Sequence, residues 1–78
     1  MTLTEAGPVP VNSTLLASVT YDVGESILQL EFCDSSIYRY FAVPAALHEG
    51  LLAADSKGSY FNFEIRSCFR YARLRPPL

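Results

Sequence analysis

The residues best suited to chemistry in this chain are binders of anions and stackers of rings, not acids and nucleophiles. Ser56-Lys57-Gly58-Ser59 joins a lysine, a glycine and two hydroxyls at what reads as a helix start, a physically sound cradle for an anion. The two separated glycines of a nucleotide-hydrolysing phosphate loop are missing, so nucleotide hydrolysis is not indicated. Downstream stand Arg66, Arg70, Arg73 and Arg75, with Tyr60 and Tyr71 close in sequence. Guanidinium groups suit bidentate contact with phosphate or carboxylate, and phenol rings suit stacking. Tyr38-Arg39-Tyr40 sets two phenols on one face of a strand and Arg39 on the other. The two tyrosines form a platform for bases if they face solvent, and core if they face helices; burial is favoured in so small a domain, leaving Arg39 on the open sheet face.

Catalytic candidates are few. His48 is the single histidine and reads as a solvated residue on a helix turn beside Glu49. Glu31 and Asp34 fall at a strand end and turn with no apolar pocket to separate their titrations. Cys33 and Cys68 lack the local pairing and the four ligands of a zinc site and read as reduced, half-buried thiols. The reading is therefore a non-enzyme with no metal and no cofactor.

Charge is unevenly spread. The chain has 78 residues and a formal net charge of -2, but residues 1–55 hold Arg39 alone against seven acids, while residues 56–78 hold Lys57 and four arginines against Glu64 alone. A basic end with interleaved aromatics is the electrostatic footprint of nucleic-acid binding. The competing reading pairs these arginines with the acidic first half of the same domain.

The elements that must position these groups follow from periodicity. Half the residues are hydrophobic and 13% aromatic, which excludes a disordered chain, and the length allows one small domain. Residues 1–12, with Gly7, Pro8 and Pro10, read as a flexible lead-in, 13–75 as the folded domain and 76–78 as a tail. Leu15, Ala17, Val19 and Tyr21 alternate as one face of a first strand, Leu28, Leu30 and Phe32 as that of a second, and Ile37 to Val43 forms a third before Pro44. A helix is expected at about Pro44 to Ala54, where Leu47, Leu51 and Ala54 recur at helical spacing. A second, capped by Ser56 or Asp55, runs to about Cys68 with Phe61, Ile65, Cys68 and Phe69 inward. Phe69 to Leu74 either continues that helix or closes the sheet as a strand, the second being favoured. The fold class is α+β, a three-stranded antiparallel meander with two short helices packed on one face and a possible short C-terminal strand. No stretch is long enough to span a membrane, and Met1 to Glu5 lacks the marks of a secretory signal. A cytoplasmic protein is expected.

These residues, in this order, resemble the KTSC domain family. The resemblance rests on Asn12-Ser13-Thr14, Val19-Thr20-Tyr21-Asp22, Leu28-Gln29-Leu30-Glu31-Phe32, Tyr38-Arg39-Tyr40, Val43-Pro44, Ser56 to Asn62 and Ile65-Arg66, and covers about residues 11–74. The family is named for its place at the C-terminus of some lysyl-tRNA synthetases and also occurs as small stand-alone bacterial proteins. Membership implies a proposed RNA-binding role at the matching positions Tyr38, Tyr40, Ser56, Lys57, Gly58, Tyr60, Asn62 and Arg66. The sequence departs from the family pattern at Asp34-Ser35-Ser36, which lacks the usual glycine, and at Phe41-Ala42. The expected function is a small binding module for RNA, either tRNA or a single strand, through Ser56, Lys57, Gly58, Tyr60, Asn62, Arg66, Arg70, Tyr71 and Arg73. The alternative is a module that recognises an acidic protein partner or a second copy of itself, with the domain a monomer or weak homodimer.

Overall fold

A computed structural model describes residues 8–78. Five strands form one antiparallel sheet in the order β1-β2-β3-β4-β5: β1 Val9–Pro10, β2 Leu16–Asp22, β3 Ile27–Phe32, β4 Ile37–Tyr40 and β5 Tyr71–Arg75. Between β4 and β5 lie helices α1 Ala45–Ala53 and α2 Lys57–Tyr60, then a π-helical turn Phe61–Ile65. The expected α+β meander with two helices is present, and the favoured closing strand is β5. The sheet is wider than the three expected strands by β5 at one edge and β1 at the other. Val9 and Pro10 pair with Val19 and Ser18, so this part of the expected lead-in is folded onto the sheet; two residues carry no period from which a strand is readable. Residues 1–7 of that lead-in lie outside the described residues.

The alternation in β3 behaves as its sequence requires. Leu28 and Leu30 are fully buried, while Gln29 opposes Thr20 and Arg39 on the open face. In β2 the expected face is corrected at its start. The register shifts between Leu16 and Ser18, and this bulge at Ala17 turns Leu16 inward beside Val19 and Tyr21 in place of Leu15 and Ala17.

Pro44 caps α1 with extended backbone and fixed φ, and Leu51 drives one side of the short helix into the core. The Tyr21 hydroxyl donates to the Val43 carbonyl at 2.5 Å, tying β2 to the start of α1. Ser56 caps α2, its hydroxyl accepting from the Ser59 amide at 3.3 Å. The expected second helix changes pitch at Phe61. The Arg66 amide reaches back five residues to the Phe61 carbonyl at 2.9 Å, and the wider turn buries both Phe61 and Ile65. It ends there, short of the expected Cys68, in a turn closed by the Cys68 amide on the Ile65 carbonyl. Phe69 packs on the core as expected, but Cys68 faces solvent.

Among the described residues, three other than glycine have left-handed backbone: Ser26 at φ 57°, Ser35 at 75° and Ala42 at 59°. Two of these are where the sequence departs from the family pattern. The left-handed conformation crowds a Cβ, which is why glycine suits such sites.

Candidate functional site

Strand alternation places Tyr38 and Tyr40 on the helix-bearing side of β4, the buried choice of the two open at the outset. Across the sheet Tyr38 opposes Leu30 and Arg73, and Tyr40 opposes Leu28 and Tyr71, which brings β5's Tyr71 and Arg73 to the same side. Phe32 at the end of β3 meets Tyr38 edge-on at 5.6 Å, and Phe61 of the π-helical turn meets Phe32 at 5.3 Å and Tyr40 at 5.6 Å, both edge-on. Tyr71 completes the set at 5.6 Å from both Tyr38 and Tyr40. These five rings line an open cleft of about 900 Å³ between the sheet and the segment that follows α2. Asn62, Arg66, Ser67 and Phe69 form one wall, and Thr14, Leu15, Cys33, Asp34 and Ser36 the other.

The cleft deepens from lip to floor. Tyr40 and Phe61 are each 4% exposed, whereas Tyr71 is 58% exposed. Burial, followed by the neighbouring phenols of Tyr38 and Tyr71, pushes the Tyr40 hydroxyl up to about 12, with Arg66 pulling the other way. On the far wall, Asp34 accepts from the Ser36 hydroxyl at 2.6 Å and from its amide at 2.9 Å. These bonds hold the Asp34 carboxyl below the usual carboxylate range, so the wall carries a fixed negative charge at neutral pH. Arg66 donates to Asn62 Oδ1 at 3.4 Å, the two being one turn apart.

The residues singled out from the sequence divide into two groups. Tyr38, Tyr40, Asn62, Arg66 and Tyr71 come together in the cleft, and Arg70 and Arg73 follow along the approach to and edge of β5, both exposed. Ser56, Lys57, Gly58 and Tyr60 sit at the junction of the helices. Lys57 Nζ donates to the Ala54 carbonyl at 3.0 Å. Tyr60 lies so close over Gly50 of α1 that a Cβ there would stand 2.8 Å from its ring carbon Cζ. Gly58 packs toward Leu15, whose Cβ would be 3.5 Å from an added methyl. Arg39 stays on the open face, donating to Gln29 Oε1 at 2.8 Å.

Of the arginines, only Arg75 forms an ion pair among the described residues, with Glu31 at 3.1 Å; it also donates to the Ser35 carbonyl at 2.7 Å. The general folding-back of the basic end onto the acidic half is thus confined to one arginine.

Three sequence readings change. His48 is half-buried and not freely solvated: its ring stacks on Tyr21 at 4.6 Å and 10°, and burial lowers its affinity for a proton despite Glu49. Cys33 and Cys68 are exposed free thiols, not half-buried ones. Asp34, set aside for want of a pocket, lines one. The signals for the missed residues were present: Phe32 continues the inward series Leu28, Leu30, and Asp-x-Ser is a side-chain-to-backbone turn signature. No cluster of three metal-binding side chains occurs among the described residues, and no helix there is long and apolar enough to cross a membrane.

Comparison with known proteins agrees with this fold. A protein of Stutzerimonas stutzeri is 40% identical over 67 residues, a match covering 85% of this chain and 94% of that one. A lysine–tRNA ligase of a Nostoc species is 39% identical over 61 residues, 78% of this chain but 11% of the ligase. The crystal structure of a KTSC domain protein from Yersinia pestis superposes with a TM-score of 0.85 at 28% identity, covering 90% of this chain and 97% of that one. The KTSC domain profile matches residues 12–71, from the loop before β2 to the first residue of β5, and the chain belongs to the KTSC domain family.

Proposed function

We propose that the domain is a non-catalytic RNA-binding module and that unpaired bases enter the aromatic cleft. The observation that carries this reading is the joining of Phe32, Tyr38, Tyr40, Phe61 and Tyr71 in one open cleft with Arg66 at its wall. Bases stack on aromatic side chains for about 1–3 kcal/mol each, and single strands offer them unpaired. Arg70 and Arg73, exposed and without carboxylate partners among the described residues, extend a path for phosphates. Ser56, Lys57, Gly58 and Tyr60 support this site by anchoring α2, and with it Phe61 and Asn62. Resemblance to a segment of lysine–tRNA ligases, named for joining an amino acid to tRNA, is consistent with such a partner.

The net charge of -2 weakens non-specific attraction to RNA, so stacking supplies most of the affinity. Three arginine–phosphate contacts give a salt slope of about -2 on logarithmic axes. The test is a residue-resolved NMR titration with a short single-stranded RNA and with tRNA at two salt concentrations. Shifts are expected on Tyr38, Tyr40, Phe61, Asn62, Arg66 and Tyr71, and their loss in Arg66→Glu. Cleft signals unmoved at low salt would overturn the reading and turn attention to protein partners.

A further inference from the structure

The Tyr40 hydroxyl has no employment inside the fold. Its residue is 4% exposed, a depth at which a phenol ordinarily finds a hydrogen-bond partner. Tyr21, 7% exposed, does so on the Val43 carbonyl. Tyr40 bonds to no group among the described residues, yet no sealed side-chain oxygen or nitrogen there lacks a partner. Its oxygen therefore opens into the cleft that its ring helps to line.

Two further groups at this place are donors. Arg66 lines the same cleft and is near enough for its charge to act on the Tyr40 phenol. Asn62 Oδ1 is taken by Arg66 at 3.4 Å, which leaves the Asn62 NH₂ as the free end of the amide. A phenol that stays protonated, an amide NH₂ and a guanidinium without a carboxylate partner among the described residues present hydrogens and positive charge.

We propose that Tyr40 at the floor of the aromatic cleft and Asn62 and Arg66 on its wall form an anion subsite, and that its ligand is a phosphomonoester, the terminal phosphate of an RNA strand or of a free nucleotide. The shape selects an end over a backbone position. Tyr40 and Phe61 lie deep and Tyr71 shallow, so a phosphate at the floor has room for a nucleotide on one side, and a phosphodiester brings one on each. The second negative charge of a monoester also suits three donors that line one cleft. Asp34, a carboxylate that lines the same cleft and is bonded to Ser36, repels phosphate from its own position, which leaves the donors as the place where an anion is held. The base of the same nucleotide then falls on Tyr38 and Tyr71. The source of the ligand rests on the RNA reading above, but the subsite rests on the cleft itself.

The experiment compares one short RNA in three forms, with a 5′-phosphate, with a 3′-phosphate and with hydroxyls at both ends, alongside a nucleoside 5′-monophosphate and its nucleoside. Affinity is measured by calorimetry and location by the side-chain NMR signals of Asn62 and Arg66. At least one phosphorylated end is expected to bind about tenfold or more tightly than the hydroxyl form, the least that one charge-assisted hydrogen bond supplies. Tyr40→Phe, which removes no hydrogen bond within the described fold, is expected to keep its melting temperature and to lose the preference. Equal binding of all three RNAs overturns the subsite and leaves the RNA reading standing. Preference for the monophosphate over its nucleoside without binding of any RNA supports the subsite and overturns the RNA reading. Binding of nothing overturns both.

Discussion

Replacing Ala42 by glycine is expected to stabilise the domain. Ala42 has φ 59° and an exposed side chain, so the substitution removes little packing. Its backbone is held from both sides, with the Phe41 amide on the Arg70 carbonyl and the Val43 amide on the Ser26 carbonyl, each at 2.9 Å. The residue is therefore unable to relax toward negative φ without breaking a link to β5's approach or to the β2–β3 turn. An L-residue held left-handed carries about 1–2 kcal/mol of strain, and glycine gives back about 0.5–1 kcal/mol through its freer unfolded chain. The net gain is centred on about 0.75 kcal/mol, which in a domain of this size raises the melting temperature by about 3–6 °C. Thermal unfolding followed by circular dichroism reads this directly. Ala46→Gly, at an exposed position inside α1, serves as the control and is expected to cost about 1 kcal/mol. A melting temperature lowered by Ala42→Gly as it is by the control would refute the strain argument.

Tyr21→Phe removes the buried hydrogen bond to the Val43 carbonyl and is expected to cost about 1–3 kcal/mol in denaturant unfolding; an unchanged midpoint would show that water replaces the hydroxyl. His48, held below its ordinary 6.5 by burial, takes up a proton more readily when unfolded. Its contribution to stability is therefore complete above about pH 6.5 and falls away as the pH drops through that value. His48→Phe, which keeps a ring against Tyr21, is expected to flatten the acid limb of the stability profile, and superimposable profiles would count against it. The Tyr40 phenol, raised from 10.0 to about 12, has the opposite dependence, its contribution holding below pH 10 and being lost as the pH rises toward 12. Phenolate absorbance is expected to show a late-titrating tyrosine that disappears in Tyr40→Phe; a titration curve unchanged by the substitution would contradict it.

The parts of this fold readable in the sequence are those in which a side chain's own periodicity meets one consistent environment. Leu28, Leu30 and Phe32 alternate because one sheet face is covered, and Ser56 reads as a cap because its hydroxyl satisfies a helix-end amide within three residues. What was hidden depends on partners far along the chain. Val9 and Pro10 become a strand only because β2 offers a free edge, and the Ala17 bulge exchanges Leu15 for Leu16 without any change in residue type. The π-helical turn hides for another reason, since Phe61 and Ile65 at a spacing of four satisfy an α-helix equally well. In the cleft, the tyrosine pair and Arg66 were visible as residue types, but not their meeting with Phe61 and Asp34. His48 reads as solvated from its neighbours on α1, whereas the ring that stacks on it belongs to β2.

The pairing of β4 with β5 has a consequence for how the cleft persists over time. Strands β2, β3 and β4 are joined by short turns, while β5 reaches β4 only after the whole helical segment has been traversed. Closing that long loop comes late in assembly on entropic grounds. Of β5's five residues, only Ala72 is better than exposed, so peeling this strand away breaks a ladder of hydrogen bonds while uncovering apolar surface chiefly at the cleft. It would take Tyr71 with it and leave Tyr40 bare, with the rest of the sheet in place. Such a strand exchanges its amide hydrogens through local opening, well below the free energy of global unfolding. Any ligand that grips Tyr71 draws on that same opening equilibrium, and slower exchange along Tyr71–Arg75 would measure its occupancy.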